Sequence, residues 1–380
     1  MQPGFLGEND LVLVSDFDYD LPEELIARQP LADRAASRML HVERGGELLE
    51  DRMFRELPEL LRADDLLVLN NSQVLPARLY GHRSGSRAQK VSPGNPAAKH
   101  FLRGRVEVLL TKQFSAAPME WEALVHPGRK LGLGERLYFG AEADESSHEL
   151  AAEIVGRGTF GERRLRFDPV EDFFGVLGRI GHVPLPPYIN RPDTPADRQT
   201  YQTVYARWPG SVAAPTAGLH FTPGILQRIR ERGIESAELT LHIGLGTFQP
   251  VRVSTVEEHR LHSEWFEIPQ DTARRIQLAR EQGRRIVAVG TTTVRTLEFA
   301  VRQDPEGRIT AQRGEADLFI YPGFGFRVIG AMLTNFHLPK STLLMLVSAF
   351  AGRQRILHAY KHAVRQRYRF YSYGDCMFVE

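Results

Sequence analysis

A chain of 380 residues is long for one compact unit and predicts two domains, or one domain carrying a large insertion. Its 42% apolar and 25% charged residues with 23 prolines exclude the disordered and fibrous classes, and a lone cysteine, Cys376, excludes an intramolecular disulfide framework and a cysteine-rich zinc site. Net charge of +1 excludes nothing by itself, because 48 basic and 47 acidic residues cancel only in the sum. Cysteine usage suits a reducing compartment, so a cytoplasmic location is expected. The longest apolar run, "STLLMLVSAFAG", falls short of the roughly 20 residues a membrane span needs, and no charged leader precedes an apolar stretch at the N-terminus. Neither insertion nor secretion is expected.

In chain order, "DFDYDLPEELIARQPLADRAASRML" reads as a turn, a helix opened by Pro22 with Glu23 and Glu24 in its first turn, and an arginine-bearing loop. "DDLLVLNNSQVLPARLYG" predicts a buried strand over 66–69 that breaks at Asn70 and Asn71. The stretch "RSGSRAQKVSPGNPAA" has no apolar period and predicts a mobile basic loop over about 83–102. Short runs punctuated by glycine follow: "RVEVLLT", "EWEALV", "RLYFG", "ELAAEIVG" and "RLRF". They predict a small antiparallel β-barrel inserted at residues 76–172. Beyond it the chain alternates "AELTLHIG" (strand), "DTARRIQLAREQG" (helix), "RRIVAVG" (strand), "TTTVRTLEFAV" (helix) and "ADLFIYP" (strand), then two helices, "STLLMLVSAFAG" and "QRILHAYKHAVRQ". The expected fold class is therefore mixed α/β, a large domain around a central sheet (1–75 and 173–380) with the barrel inserted.

Four segments share a design in which small and polar residues stand between a strand or turn and the next helix. Such ends meet ligands in open α/β sheets, and helix N-termini offer free N–H groups to anions. In "AAPTAGLHFTPGILQRI", Pro215, Thr216, Ala217 and Gly218 allow close backbone approach, His220 and Phe221 follow, and Thr222 with Pro223 opens a helix. In "LHIGLGTFQPVR", two glycines bracket Leu245, yet the third glycine and the distal acid of a dinucleotide fingerprint are missing, as is a P-loop lysine. A backbone-lined pocket beside His242 and Phe248 is the reading that remains. "IVAVGTTTVRTLE" places three threonines at a helix start, where one would suffice as a cap, and then Arg295 and Glu298. "LTNFHLPKSTLLM" puts Thr334, Asn335 and His337 in a turn before a helix that Ser341 or Thr342 caps. His259, His262 and Glu264 lie within six positions but lack the helical metalloprotease spacing, so no metal is expected, and His262 beside Glu264 fits acid/base work better. For each lone histidine a satisfied structural role stays open.

Charge is unevenly spread. No acid occurs between Leu66 and Val106, and "GRQRILHAYKHAVRQRYRFYSYG" is acid-free with four tyrosines and two histidines. Basic runs interleaved with aromatics suit phosphate backbones and unstacked bases, while a solvated helix face is the alternative.

The runs "PLPPYINRPDTPADRQTYQTVYA", "VAAPTAGLHFT", "TLHIGLGTFQPVRV", "HSEWFEIP", "AVGTTTVRTLE", "FIYPGF", "LTNFHLPKSTLLMLVSAFAG" and "YRFYSYGDCMF" resemble, in order and over nearly the whole chain, the S-adenosylmethionine:tRNA ribosyltransferase-isomerase family of queuosine biosynthesis. The resemblance implies transfer and isomerisation of the ribosyl group of S-adenosylmethionine onto 7-aminomethyl-7-deazaguanine at the tRNA wobble position, with release of adenine and methionine. By matching motif positions it implies His220, His242, His262 and His337 as acid/base candidates, with Glu264 and Asp375 as carboxylates that hold hydroxyls or orient a histidine. Pro215, Thr216, Ala217, Gly218, Gly246, Thr247, Thr292, Thr293 and Asn335 then line the donor, Phe221 and Phe248 supply aromatic faces, and Arg295 takes the methionine carboxylate. Arg78, Arg83, Arg353, Lys361 and Arg365 are the expected tRNA contacts. The long basic loop over 83–103 departs from the family pattern. A monomer with S-adenosylmethionine as ribosyl donor and no metal is expected. A tRNA methyltransferase is disfavoured by the missing Rossmann glycines, and a non-catalytic RNA-binding barrel leaves the histidine-bearing turns without a purpose.

Overall fold

The computed structural model describes residues 11–84, 104–140, 147–158, 161–244, 251–261 and 263–380. Its strands are, in chain order, β1 Arg38–Val42, β2 Leu49–Met53, β3 Leu66–Asn70, β4 Ser72–Val74, β5 Arg78–Arg83, β6 Arg105–Ala116, β7 Met119–His126, β8 Arg136–Phe139, β9 Leu150–Arg157 and β10 Arg163–Phe167. There follow β11 Trp208–Ser211, β12 Glu235–Leu241, β13 Glu264–Ile268, β14 Ile286–Val289, β15 Gln312–Ala316, β16 Ala331–Asn335 and β17 Cys376–Val379. The longer helices are α1 Phe173–Ile180, α2 Pro223–Glu231, α3 Gln270–Glu281, α4 Thr291–Gln303, α5 Thr342–Ala351 and α6 Arg353–Arg365.

Nine strands form one mixed sheet in the order β15-β13-β12-β3-β14-β16-β17-β1-β2. The central four, β12, β3, β14 and β16, run parallel, and antiparallel pairs begin at β13 on one side and β17 on the other. The period-2 pleat explains why "LLVLN" and "IVAV" are apolar almost throughout, since both faces of a central parallel strand are covered. Leu66, Val68, Ile286 and Ala288 face a core built with α3 to α6, while Leu67, Leu69, Val287 and Val289 face one that holds Phe221, Ile225 and Ile229 at and beyond the start of α2. Asn70 ends β3 because its side chain serves the backbone: Oδ1 accepts from Ser72 and Leu241 N–H, and Nδ2 donates to the Leu241 carbonyl.

Strands β5 to β10 close into an antiparallel barrel in the order β10-β7-β6-β5-β8-β9. Its interior holds Leu79, Val108, Trp121, Phe139 and Leu165, and Phe173, Val176 and Leu177 of α1 pack against the same cluster. All five short glycine-punctuated runs are strands here. Two expectations fail. Pro22 opens only a three-residue 3₁₀ turn, Glu23–Leu25, because the chain is held there by Leu25 and Ala27 backbone bonds to Phe370. "ADLFIYP" is not a strand: pairing with β13 is taken by the preceding Gln312–Ala316, and the apolar residues after it pack irregularly against the core. Thr222 and Ser341 do cap α2 and α5, accepting from Ile225 and Leu344 N–H. Among the described residues no helix is long and apolar enough to cross a membrane.

Candidate functional site

The parallel register brings the carboxyl ends of β12, β14 and β16 to one edge of the sheet. Chain order runs from β3 outward to β12 on one side and to β14 and β16 on the other, which is where open α/β sheets leave a crevice. A cavity of about 70 Å³ lies there. Its walls are Ala213 to Ala217, Ile243 after β12, Gly290 to Thr292 after β14, and Thr334 to Leu338 with Ser341 and Leu343 after β16. Parts of all four segments singled out in the sequence therefore meet. Tyr188, Tyr371 and Ser372 complete the lining, and no Asp, Glu, Lys or Arg does so among the described residues.

His337 faces this cavity. Its Nε2 is 2.7 Å from Thr334 Oγ1, its backbone N–H donates to Tyr360 Oη at 2.9 Å, and its carbonyl accepts from Tyr19 Oη. Burial lowers its pKa from the usual histidine value to about 3, so the ring is neutral at physiological pH. His220 sits behind the wall formed by its own segment. Its Nδ1 is 2.8 Å from Ser37 Oγ, and its Nε2 looks toward the Asn335 amide without closing a well-formed hydrogen bond. Burial brings its pKa down to about 4, against an opposing contribution from Asn335. His242 points away from the cavity that Ile243 lines. It stacks on Trp265 at 4.9 Å, meets Ser72 Oγ at 2.8 Å, and burial again lowers its pKa to about 4.

The carboxylates are engaged elsewhere. Glu264 pairs with Arg295 at 2.7 Å and accepts from Gly244 N–H, so the guanidinium expected to meet a ligand carboxylate is committed to a buried ion pair and to the Leu318 carbonyl. Asp375 accepts from Arg38 and Arg369 N–H, with its pKa raised by burial. Glu298 gathers N–H groups of Arg327, Val328 and Ile329 and the Arg302 guanidinium. Phe221 packs edge-on against Phe54 at 5.0 Å inside the core and does not line the cavity. Gly218 is needed for a reason other than ligand approach, because a Cβ there would stand 2.1 Å from Tyr205 Oη. Thr293 donates back to the Val289 carbonyl, whereas Thr292 Oγ1 is buried with no partner among the described residues. Gly246, Thr247, Phe248 and His262 lie outside the described residues, as does most of the basic loop.

Tyr188, Tyr371 and Ser372 escaped the sequence reading. Tyr188 Oη is 2.5 Å from Ser372 Oγ and its ring lies 4.6 Å from that of Tyr371. Tyr371 holds φ at +71°, a left-handed conformation uncommon for an aromatic residue, with its carbonyl accepting from Asn335 Nδ2. Neither "PLPPYI" nor "YSYG" has the strand-to-helix pattern that flagged the others; their only signal is their place among the family-like runs.

The expected tRNA contacts divide. Lys361 and Arg365 share one face of α6 with His358 beside Tyr19, and neither forms an ion pair among the described residues. Arg353 pairs with Asp16 at 2.6 Å, Arg78 pairs with Glu107 at 2.7 Å, and Arg83 is buried. No cluster of three His, Cys, Asp or Glu side chains stands ready for a metal among the described residues.

Comparison with known proteins agrees with this architecture. A family model described as "Queuosine biosynthesis protein" matches residues 14–379. The S-adenosylmethionine:tRNA ribosyltransferase-isomerase of Solibacter usitatus is 56% identical over 366 residues, which cover 96% of this chain and 99% of that one. The protein of the same name from Natranaerobius thermophilus is 46% identical, with 97% and 99% covered. The crystal structure of S-adenosylmethionine tRNA ribosyltransferase from Thermotoga maritima superposes with a TM-score of 0.51 at 37% identity, covering 96% of this chain and all of that one. With the fold, the site and these relatives in accord, the chain belongs to the family of queuosine biosynthesis proteins.

Proposed function

We propose that this chain is an S-adenosylmethionine:tRNA ribosyltransferase-isomerase, moving the ribosyl group of S-adenosylmethionine to 7-aminomethyl-7-deazaguanine at the tRNA wobble position and rearranging it to the epoxycyclopentanediol of epoxyqueuosine. The observation that carries the reading is a cavity at the carboxyl ends of β12, β14 and β16, without a charged lining residue among the described residues and bearing a neutral histidine, in a chain matched over 96% of its length by a relative of that name. The sulfonium acidifies the neighbouring 5′ carbon of the ribose, so a neutral base suffices to start ring opening, and no covalent enzyme intermediate is required. His337 is that base, as the histidine that lines the cavity among the described residues. His220 is a positioning residue that acts through Asn335 and Ser37. Thr216, Ala217 and Thr292 flank the donor.

The tRNA approaches along α6, where Lys361 and Arg365 are open to phosphates, and the wobble base is splayed toward the cavity. A monomeric state and a cytoplasmic location complete the proposal, the latter because the lone cysteine, Cys376, is a buried free thiol. Incubation of the chain with S-adenosylmethionine labelled in the ribose and tRNA that already carries 7-aminomethyl-7-deazaguanine at the wobble position is expected to leave label in the tRNA. Label entering from the methyl group instead would establish a methyltransferase, and label entering from neither would leave only RNA binding.

A further inference from the structure

Helix α4 begins inside the protein without a cap. Its N-cap residue is Gly290, which has no side-chain oxygen, and the N–H groups of Thr291, Thr292 and Thr293 find no acceptor among the described residues. All three threonines are buried. A solvent-exposed helix start can leave such donors to water, but a buried one needs a partner. Thr293 donates its hydroxyl to Val289, and Thr292 Oγ1, in a residue only 5% exposed, lies at the cavity wall with no partner. Thirteen residues of helix add their dipole at this point, and no lysine or arginine among the described lining residues competes as the source of positive potential.

We infer that the start of α4 is a carboxylate site, and that on the proposed function it holds the methionine carboxylate of S-adenosylmethionine. That carboxylate is the donor's anionic group, and Arg295, one turn further along the same helix, gives Nη1 to Glu264 and Nε to the Leu318 carbonyl and does not line the cavity. Free N–H groups at the first turn and the Thr292 hydroxyl replace the guanidinium that the sequence pattern suggested. Gly290 serves the same purpose: its φ of +90° turns the chain from β14 into the helix so that the N–H groups face the cavity.

The test compares S-adenosylmethionine with its decarboxylated analogue, which keeps adenosyl, sulfonium and amine but carries hydrogen in place of the carboxylate. Titration calorimetry on the intact chain is expected to show the analogue bound at least about tenfold more weakly, as loss of a charge-assisted partner predicts. Thr292→Val is expected to shrink that preference at least about threefold, and Thr292→Ser to retain it, since only the hydroxyl contributes a hydrogen bond. Equal binding of the two ligands by the unaltered chain overturns the inference while leaving the ribosyltransferase reading in place. So does a preference that survives Thr292→Val, and if tRNA affinity falls in that variant instead, the helix start holds a phosphate. Binding of neither ligand by the unaltered chain overturns both readings.

Discussion

His337 illustrates how burial rather than a charged partner sets a protonation state. Desolvation favours the uncharged imidazole, so with a pKa of about 3 the ring carries no proton at physiological pH, while the same desolvation weakens it as a base until the cationic donor is bound beside it. His337→Ala is expected to lower single-turnover ribosyl transfer by about 10²–10⁴ while the KM for S-adenosylmethionine changes little, the signature of a lost general base. An unchanged rate would remove it from the mechanism. Arg295 makes the opposite case, a residue whose charge is already matched. Arg295→Ala strands the buried Glu264 carboxylate and is expected to cost about 3–5 kcal/mol in urea unfolding, whereas the double variant Arg295→Met with Glu264→Leu recovers most of it. A single variant as stable as the parent would mean that the pair contributes nothing. Both residues stand in sequence runs that flagged a site, yet only burial and partners separate the one that faces the cavity from the one that braces it.

At the scale of elements, α6 is amphipathic with Ile356, Ala359, Tyr360 and Ala363 inward and Lys361 and Arg365 outward. Lys361→Ala with Arg365→Ala is expected to weaken tRNA binding and to flatten its log–log salt dependence by about 0.7–0.9 per lost phosphate contact, as counterion release requires. A salt slope identical to the parent's would show that these side chains meet no phosphate. The basic character of this helix was legible from the acid-free run, but which of its cations stay open to a partner was not. Arg353 pairs with Asp16, and Arg355 donates to the Glu43 carbonyl, because loops distant in sequence fold over the helix start. Likewise Thr222 and Ser341 were readable as caps from local chemistry, while the missing cap of α4 acquires meaning only from its burial.

Across the whole molecule, three desolvated histidines are held neutral, His220, His242 and His337, with folded pKa values of about 4, 4 and 3. An unfolded chain protonates each near the ordinary value of about 6.5, so below that pH the unfolded state binds more protons than the folded one. Stability is therefore expected to be intact above about pH 6.5 and to fall as pH drops from there toward about 3–4. The urea midpoint at about pH 5 should lie below that at about pH 7; equal midpoints would show that the rings are not desolvated as the structure has them.

Local chemistry in the sequence by itself determined the buried strands "LLVLN" and "IVAV", the caps of α2 and α5, the short strands of the barrel and the small-residue turns before α2, α4 and α5, because apolar period and turn preference act over a few residues. It also carried the family resemblance, through long motifs in fixed order. Tertiary structure alone decided that the turns share one cavity, that Phe221 belongs to the core, that Arg295 is matched with Glu264, and that Tyr188 and Ser372 join the lining. Those outcomes depend on strand order and on partners 31 to 184 positions apart, and no local pattern encodes which distant group a side chain will meet.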